Sequence, residues 1–364
     1  MQLFEIIATR HDVVWGLTAV QYFFMVQVGA ACILLGSLGP AFDLSGLRRF
    51  SGLALVTGLT LVATAPLNLI AELMQQGRFA SMFWNTHLSS PLSWGVFVIG
   101  SSLLLAAIYG LALLKNALVQ AHRQGSFSSL LPYALVRGKS PVAPATLKLL
   151  AWLALVGAAA LFVYSGMDLA SVASRIMWSP SIVPLLLAVS GVAGGVALLI
   201  LLDRLSGGLS PERAGIYRRA LLASLALLLA VGLVWLLTQF AFADQAGRAV
   251  WAYLSGKAFF AFFLLAVGLG TLLPFVLAAL RGSAPMLTSA ALLVLLGGYM
   301  LRYVITIGGQ EMGRTTAGLN QYAPWDIWAH GGLMAAAGTV GLWVFLMLLA
   351  SWTAPWKGFV RHQG

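Results

Sequence analysis

The chain has 364 residues, of which 60% are hydrophobic and only 9% are charged, and its formal net charge is +11. A soluble domain carries about 25% charged residues, so this composition excludes a water-soluble globule and predicts a helical protein that crosses the bilayer several times. The single cysteine, Cys32, excludes a disulfide, a zinc site or an iron–sulfur cluster built from this chain alone.

Nine apolar runs are long enough to cross a bilayer core, which needs roughly 20 helical residues. In chain order, the predicted spans are 14–38, 50–73, 93–114, 147–167, 182–202, 220–242, 253–280, 285–307 and 329–352. The polar segments between them, such as GPAFDLSGLRR and DRLSGGLSPERAGIYRR, are predicted to be loops. The predicted fold class is therefore an all-α membrane protein of about nine transmembrane helices, forming one integral membrane domain over residues 1–364.

The basic residues indicate how the chain is oriented. If the N-terminus lies outside, the odd-numbered loops and the C-terminal tail hold 14 of the 21 lysines and arginines. The positive-inside rule then favours an N-out, C-in topology. Because orientation accounts for most of the net charge, the sequence does not predict a nucleic-acid partner.

The stretch RYVITIGGQEMG, residues 302–313, places an arginine at the end of an apolar helix. Arg302 lies six residues before Gly308, about 9 Å below the outer surface at 1.5 Å per residue. An arginine inside a bilayer is costly, so it needs a partner, a route to the headgroups or a function. The simplest alternative is that its side chain extends to the headgroups.

Other polar residues collect at the same predicted depth. Span two ends with NLIAE, which places Asn68 and Glu72 on one helix face, and span four ends with YSGMD, which does the same for Tyr164 and Asp168. Gln21 of span one and His87 of the loop after span two lie at the same end. These residues predict a polar pocket beneath the outer face, although helix-end and interfacial positions explain each of them singly.

The five histidines argue against a resident metal or haem. A haem b held within a bundle needs axial ligands inside the helices, and none of the five histidines lies in the middle of a predicted span. A copper or zinc relay is disfavoured for the same reason. No metal site and no haem are therefore predicted in this chain.

Four segments resemble a known family in their order and spacing. They are WGLTAVQYFFMVQVGAA (15–31), SPLSWGVFVIG (90–100), YSG (164–166) with WSPSIVPLLLAVSGVAGGVAL (178–198), and RYVITIGGQ (302–310). Together they are similar to the polysulfide reductase membrane-subunit family of the NrfD/PsrC type. The resemblance covers most of spans one to eight.

The resemblance implies a fold and a function. Eight helices would form two four-helix bundles in the bacterial cytoplasmic (inner) membrane, and the chain would exchange electrons with menaquinone or ubiquinone. It would bind no haem or iron–sulfur cluster itself. Its partners would be a ferredoxin-like iron–sulfur subunit on the outer face and a molybdopterin or multihaem cytochrome catalytic subunit, with the lipid bilayer around it.

Quinone chemistry explains why these residue types would gather. Reduction adds two electrons and two protons, so the carbonyls need hydrogen-bond donors and a carboxylate or histidine must move protons. The residues expected to act in catalysis are Asp168, Arg302 and Glu72, with Arg302 stabilising negative charge or holding a carboxylate. The residues expected to bind the quinone are Gln21, His87, Tyr164, Asp168, Arg302 and Gln310.

The chain departs from the family pattern in two places, and other functions remain open. ELMQQGR places Glu72 and Arg78 where many members have an aspartate and a Gly-Arg-Pro run, and the ninth span with His330 lies outside the comparison. A transporter or proton channel would need polar residues through the midplane and broken helices in two halves, and few are visible. A purely structural anchor would leave Arg302 and Asp168 unexplained.

Overall fold

The structure, a computed structural model, is helical throughout the residues that it describes. These are residues 13–87, 89–123, 140–207, 209–241, 245–280, 282–312, 320, 322, 327–328 and 331–353. The helices are α1 (Leu17–Ala41), α2 (Ser45–Arg48), α3 (Ser51–Glu72), α4 (Pro91–Arg123), α5 (Pro144–Ala170), α6 (Ile182–Leu205), α7 (Pro211–Ala241), α8 (Gln245–Ser255), α9 (Phe260–Ala279), α10 (Ala284–Glu311) and α11 (Leu333–Thr353). Nine of these described helices are long and apolar enough to cross a membrane, which confirms the predicted fold class.

The sixth span begins earlier than predicted. α7 begins at Pro211, nine residues before the predicted boundary at 220, so the end of the segment predicted to be a loop is helical. Proline is favoured at the first position of a helix because it needs no hydrogen-bond partner for a backbone N–H there. Glu212 follows it in the first turn, where a carboxylate stabilises the helix dipole.

The seventh predicted span, 253–280, is two elements. Residues up to Ser255 belong to α8, a short helix that precedes a turn, and the membrane helix α9 begins only at Phe260. The first 13 residues of α9 form a π-helix, Phe260–Leu272. Hydropathy did not separate the two elements because α8 is itself half apolar.

The eighth span ends later than predicted, which places Arg302 deeper. α10 continues to Glu311, nine residues beyond Arg302. At 1.5 Å per residue, this is about 13 Å of helix rather than 9 Å. The arginine therefore lies too far from the helix end to be explained simply as an interfacial residue.

Two helices form the centre of the molecule. In their most apolar windows, 78% of the residues of α1 and 72% of those of α6 are buried inside the protein. α1 packs against α3, α5, α6 and α10, while α6 packs against α5, α7 and α10. Side chains on α1 are consequently positioned to meet groups from several helices. The grouping into two four-helix bundles and the N-out orientation stay predictions.

The ninth membrane helix is peripheral. Only 11% of the apolar window of α11 is buried, and it packs mainly on α3. Thr339 Oγ1 donates to Asn68 Oδ1 at 2.8 Å, and Trp343 Nε1 donates to Thr60 Oγ1 at 3.2 Å. Asn68, which the sequence placed near the polar pocket, thus holds α11 against α3.

The two ends of the molecule differ in their charges. We call the end where α1 and α6 begin and α3, α5 and α10 end the site face, and the other end the opposite face. At the opposite face, Asp43 lies 2.5 Å from both Arg48 and Lys148, and Lys148 holds the pKa of Asp43 below its ordinary value. Buried Asp203 is paired there with Arg213 at 2.6 Å.

Candidate functional site

A buried cluster of two tyrosines and an aspartate lies between α1 and α5. Tyr22 comes from α1, and Tyr164 and Asp168 come from adjacent turns of α5. All three side chains are at least nine-tenths buried and lie within electrostatic range of one another. We call these three residues the tyrosine–aspartate cluster. The structure therefore brings together two of the predicted site residues, Tyr164 and Asp168, with Tyr22, which the sequence analysis missed.

The cluster retains free hydrogen-bonding capacity. Tyr22 Oη has no well-formed hydrogen bond to any described residue. Within the described part of the chain, the Asp168 carboxyl group likewise receives no hydrogen bond and forms no ion pair. Buried polar groups are nearly always satisfied, so this cluster is suited to bind a polar group from outside the chain.

A glycine on α4 determines where Tyr164 lies. A Cβ atom at Gly95 would overlap Tyr164 Oη, so only glycine allows the phenol to occupy its position. Gly95 belongs to SPLSWG and Tyr164 to YSG, two of the segments that carry the family resemblance. This contact explains why the two motifs occur together, because the glycine of the first makes room for the tyrosine side chain of the second.

Arg302 is fully buried, and its partners are neutral oxygen atoms. Its guanidinium donates to Phe23 O at 3.1 Å, Gly298 O at 2.8 Å, Leu187 O at 3.1 Å and Gln27 Oε1 at 2.6 Å. These partners come from α1, α6 and α10. Arg302 therefore ties three helices together, and it contacts carbonyl oxygens rather than the carboxylate considered in the sequence analysis.

A short chain of hydrogen bonds links Arg302 to the tyrosine–aspartate cluster. Gln27 accepts from Arg302 and donates through Nε2 to Ser165 Oγ at 3.2 Å. Ser165 is the residue after Tyr164 in α5. Arg302 consequently supports the helix turn that carries the cluster without being part of it.

Glu72 caps the beginning of α1. Its Oε1 accepts from Gly16 N at 3.0 Å, from Ala19 N at 3.1 Å and from the hydroxyl of Thr18. The first N–H groups of a helix lack intrahelical partners and favour negative charge. Glu72 thus has a structural role that its position at the end of α3 did not reveal.

Replacing Glu72 by alanine should destabilise the protein by about 0.5–2 kcal/mol, the usual effect of losing a helix cap. The measurement is thermal unfolding of the detergent-solubilised protein. Glu212→Ala is a suitable control because Glu212 also lies in the first turn of a helix but is largely exposed, where it pairs with Arg49, and exposed charges of this kind contribute little. Equal melting temperatures for the two variants would contradict the capping role.

Gln310 holds the segment that leads into α1. Its Oε1 accepts from Val14 N at 3.1 Å and Trp15 N at 2.8 Å, and its Nε2 donates to Trp15 O at 3.1 Å. Trp15 also stacks on Trp178, whose Nε1 donates to Ile305 O at 2.6 Å. The Gly-Gly-Gln end of α10 is therefore a clamp on the start of α1, and the Gln310 amide is already occupied.

The remaining predicted residues differ in exposure. Gln21 is 6% exposed, and its side-chain amide makes no hydrogen bond with a described residue. His87 lies exposed in the loop before α4, and among the described residues its imidazole has no hydrogen-bond partner. His330, noted with the ninth span, lies outside the described residues. Gln21 thus remains available to a buried ligand, whereas His87 is on the surface.

A second buried carboxylate was missed by the sequence analysis. Glu311, 3% exposed, accepts from Tyr253 Oη at 2.6 Å and pairs with Lys257 Nζ at 2.8 Å. Burial and this carboxylate raise the pKa of Tyr253. The sequence did contain a signal, because a carboxylate at the end of a helix is unfavourable to the helix dipole and therefore needs a partner. The partners themselves could not be identified, because Tyr253 and Lys257 are more than 50 residues away in the sequence.

In chemical terms, the tyrosine–aspartate cluster contains two hydroxyl groups, which are hydrogen-bond donors, and one carboxyl group, which is of the chemical type that exchanges protons. The described residues contain no group of three or more His, Cys, Asp and Glu side chains that would hold a metal ion. The arrangement suits a neutral ligand with hydrogen-bonding oxygens and an apolar body.

Two comparisons with known proteins bear on this site. The model of the family described as "Polysulphide reductase, NrfD" matches residues 5–312. A tetrathionate reductase subunit of Salmonella typhimurium is 26% identical over 354 residues, which cover 95% of this chain and 93% of that protein. The chain is therefore similar to the Salmonella protein over nearly the full length of both.

Proposed function

This chain belongs to the NrfD polysulphide reductase family, and from that membership we propose that it is the quinone-binding membrane subunit of a multi-subunit reductase. Its membrane helices would hold a menaquinone or ubiquinone, and its site face would meet an iron–sulfur partner. The similar Salmonella protein is named as one subunit of tetrathionate reductase, which supports an assembly of several chains.

The observation that carries this proposal is the tyrosine–aspartate cluster. Quinone and quinol interconvert by moving two electrons and two protons, so the protein must donate hydrogen bonds to two oxygens and exchange protons with them. The carboxyl group of Asp168, which is buried and has no partner among the described residues, supplies the proton exchange, and the hydroxyls of Tyr22 and Tyr164 supply donors. That Tyr22 Oη has no well-formed hydrogen bond to a described residue supports the fit of these residues to such a ligand.

The other predicted residues take different parts in this proposal. Gln21, buried and without a partner among the described residues, is available as a further donor. Arg302 acts as a positioning residue, because among the described residues its hydrogen bonds reach α5 only through Gln27 and Ser165. Glu72 and Gln310 order the start of α1, the helix that carries Gln21 and Tyr22.

Electrons must pass between the quinone and a partner subunit. The only cysteine of this chain, Cys32, is buried and unpaired, and an iron–sulfur cluster needs several cysteine ligands. A ferredoxin-like iron–sulfur subunit docked at the site face would lie nearest the tyrosine–aspartate cluster, with a molybdopterin or multihaem cytochrome subunit beyond it. The positive-inside rule favours a site face on the periplasmic side of the bacterial inner membrane.

The pairing of Gly95 with Tyr164 provides a test. Gly95→Ala should displace the Tyr164 hydroxyl, because the added methyl group would overlap it. Misplacing a reacting group by about 1 Å can reduce a rate by roughly 10²-fold. We expect a reduction of at least about 10-fold in the quinone-linked rate, meaning the rate at which the assembled complex oxidises a quinol analogue or reduces a quinone analogue.

Gly100→Ala is the matched control. Gly100 lies on the same helix, and nothing is within 4 Å of the Cβ atom that the substitution adds. Its quinone-linked rate should equal that of the wild type, and both variants should react normally with a dye that exchanges electrons directly with the partner subunits. Equal quinone-linked rates for the two alanine variants would refute the proposed site.

A further inference from the structure

A separate cavity of about 190 Å³ lies between α6, α7, α9 and α10. Its walls are largely apolar, with Leu186, Trp235, Phe262 and Leu301 among them. None of its lining residues belongs to α1 or α5, the helices that carry the tyrosine–aspartate cluster. The cavity is therefore distinct from the site described above.

One lining residue has an unmet hydrogen-bonding requirement. Trp235 is 1% exposed, and its indole N–H has no hydrogen-bond partner among the described residues. Leaving a buried donor unsatisfied costs about 1–3 kcal/mol. The hydroxyls of Ser190 and Thr271 also line the cavity, but each donates to a carbonyl of its own helix. An occupant should thus provide an acceptor for Trp235.

The local backbone favours an opening here. The π-helix at the start of α9 forms one wall, and π-helical turns are frequent at functional sites. Gly270 and Gly297 bring α9 and α10 into direct backbone contact beside the cavity. On α7, by contrast, a Cβ atom at Gly232 would meet only Leu186 Cδ1, at 3.8 Å, so that wall is loosely filled.

The size and depth of the cavity restrict the ligand. Apolar cavities of roughly 150 Å³ stay dry and admit a benzene-sized ring, whereas sites that enclose a whole ligand are about 300–1,000 Å³. This cavity would hold a ring while the rest of the molecule remains in the bilayer. Trp235 lies six residues before the end of α7, about 9 Å along the axis. A charged phospholipid headgroup is costly at that depth, but an uncharged ring is not.

We propose that this cavity is a second site for a quinone, in which a ring carbonyl accepts a hydrogen bond from Trp235 Nε1. The inference rests on the proposed function, because it takes its ligand from the same chemical class. It concerns binding alone and assigns no electron transfer to the second molecule. The first site would use α1 and α5, and the second would use α6, α7, α9 and α10.

For the test, the assembled complex is purified in nanodiscs that contain inner-membrane phospholipid and quinone. The measured quantity is the number of bound quinones per chain. Gly232→Leu fills the cavity. Gly341→Leu is the control: it makes the same change on α11, where no described atom lies within 4 Å of the added Cβ atom. We expect two quinones per chain in the wild type and in Gly341→Leu, but one in Gly232→Leu. Trp235→Phe, which keeps a ring but loses the N–H, should bind the second quinone about fivefold more weakly.

Each other outcome has a definite meaning. One quinone per chain in every variant would overturn this inference and leave the proposed function intact. Loss of a phospholipid rather than a quinone from Gly232→Leu would overturn it in favour of a lipid site. No quinone in any variant, together with no quinone-linked rate, would remove the proposed function as well. Gly232→Leu should otherwise retain the wild-type quinone-linked rate.

Discussion

Replacing Asp168 by asparagine should lower the quinone-linked rate of the assembled complex by about 10²–10⁴-fold, the usual contribution of a general acid–base group. Asparagine has nearly the same shape as aspartate but cannot exchange a proton. Because Asp168 makes no side-chain hydrogen bond or ion pair with a described residue, its loss should not unfold the protein. The expected variant is therefore folded and assembled but slow with quinone.

The controls separate chemistry from folding. The melting temperature should stay close to that of the wild type, and electron exchange between a dye and the partner subunits should be unchanged. Asp168→Glu should recover part of the rate because it restores the carboxyl group at a slightly different position. Tyr164→Phe should reduce the rate less than Asp168→Asn, since Tyr22 still supplies a hydroxyl. A normal quinone-linked rate in Asp168→Asn would show that the cluster is not the site.

Replacing Arg302 by methionine should destabilise the protein by about 3 kcal/mol, the largest effect on stability that we expect of any single change. The substitution leaves Gln27 Oε1 and three backbone carbonyls without their donor. Leaving a buried hydrogen-bond acceptor without its donor costs about 1–3 kcal/mol, and we take the upper end because four acceptors lose a donor at once. The measurement is thermal unfolding, together with the yield of assembled complex.

Two further variants identify how Arg302 acts. Arg302→Lys keeps the charge, but a single ammonium group cannot reach all four acceptors, so stability should be only partly restored. Gln27→Leu should destabilise less, and it should lower the quinone-linked rate because it breaks the link to Ser165. If Arg302→Lys had the wild-type quinone-linked rate but stayed less stable than the wild type, we would infer that the positive charge itself acts on the ligand. An Arg302→Met protein as stable as the wild type would contradict the role in tying helices together.

The sequence predicted the fold well where hydrophobicity alone decides it. All nine predicted spans correspond to helices, because a run of about 20 apolar residues has no other stable place than the bilayer. The boundaries failed where charged residues continue a helix, as in α7 after Pro211, or where an apolar segment turns, as between Ser255 and Phe260. Hydropathy does not register a helix that extends beyond the membrane.

The candidate site could be predicted from the sequence only in part, because the sequence shows contacts within one helix but not contacts between helices. The four-residue spacing of Tyr164 and Asp168 placed them together on one face, and the structure keeps them together in the buried core. Tyr22 was missed because α1 is apolar on all sides, so the sequence does not show which aromatic residue faces α5. The roles of Glu72 and Gln310 as cap and clamp depend on contacts across more than 50 and nearly 300 residues, respectively.

The peripheral position of α11 has a consequence for how the molecule is built. The family match ends at residue 312, before this helix begins, and among the described residues three side-chain hydrogen bonds join α11 to α3, one at Asn68 and two at Thr60. Its removal would leave Asn68, which is buried, and Thr60 facing lipid without these partners. The ninth helix thus lies outside the part of the chain that the family model matches, and its place in the fold is to shield two polar side chains of α3 from the bilayer.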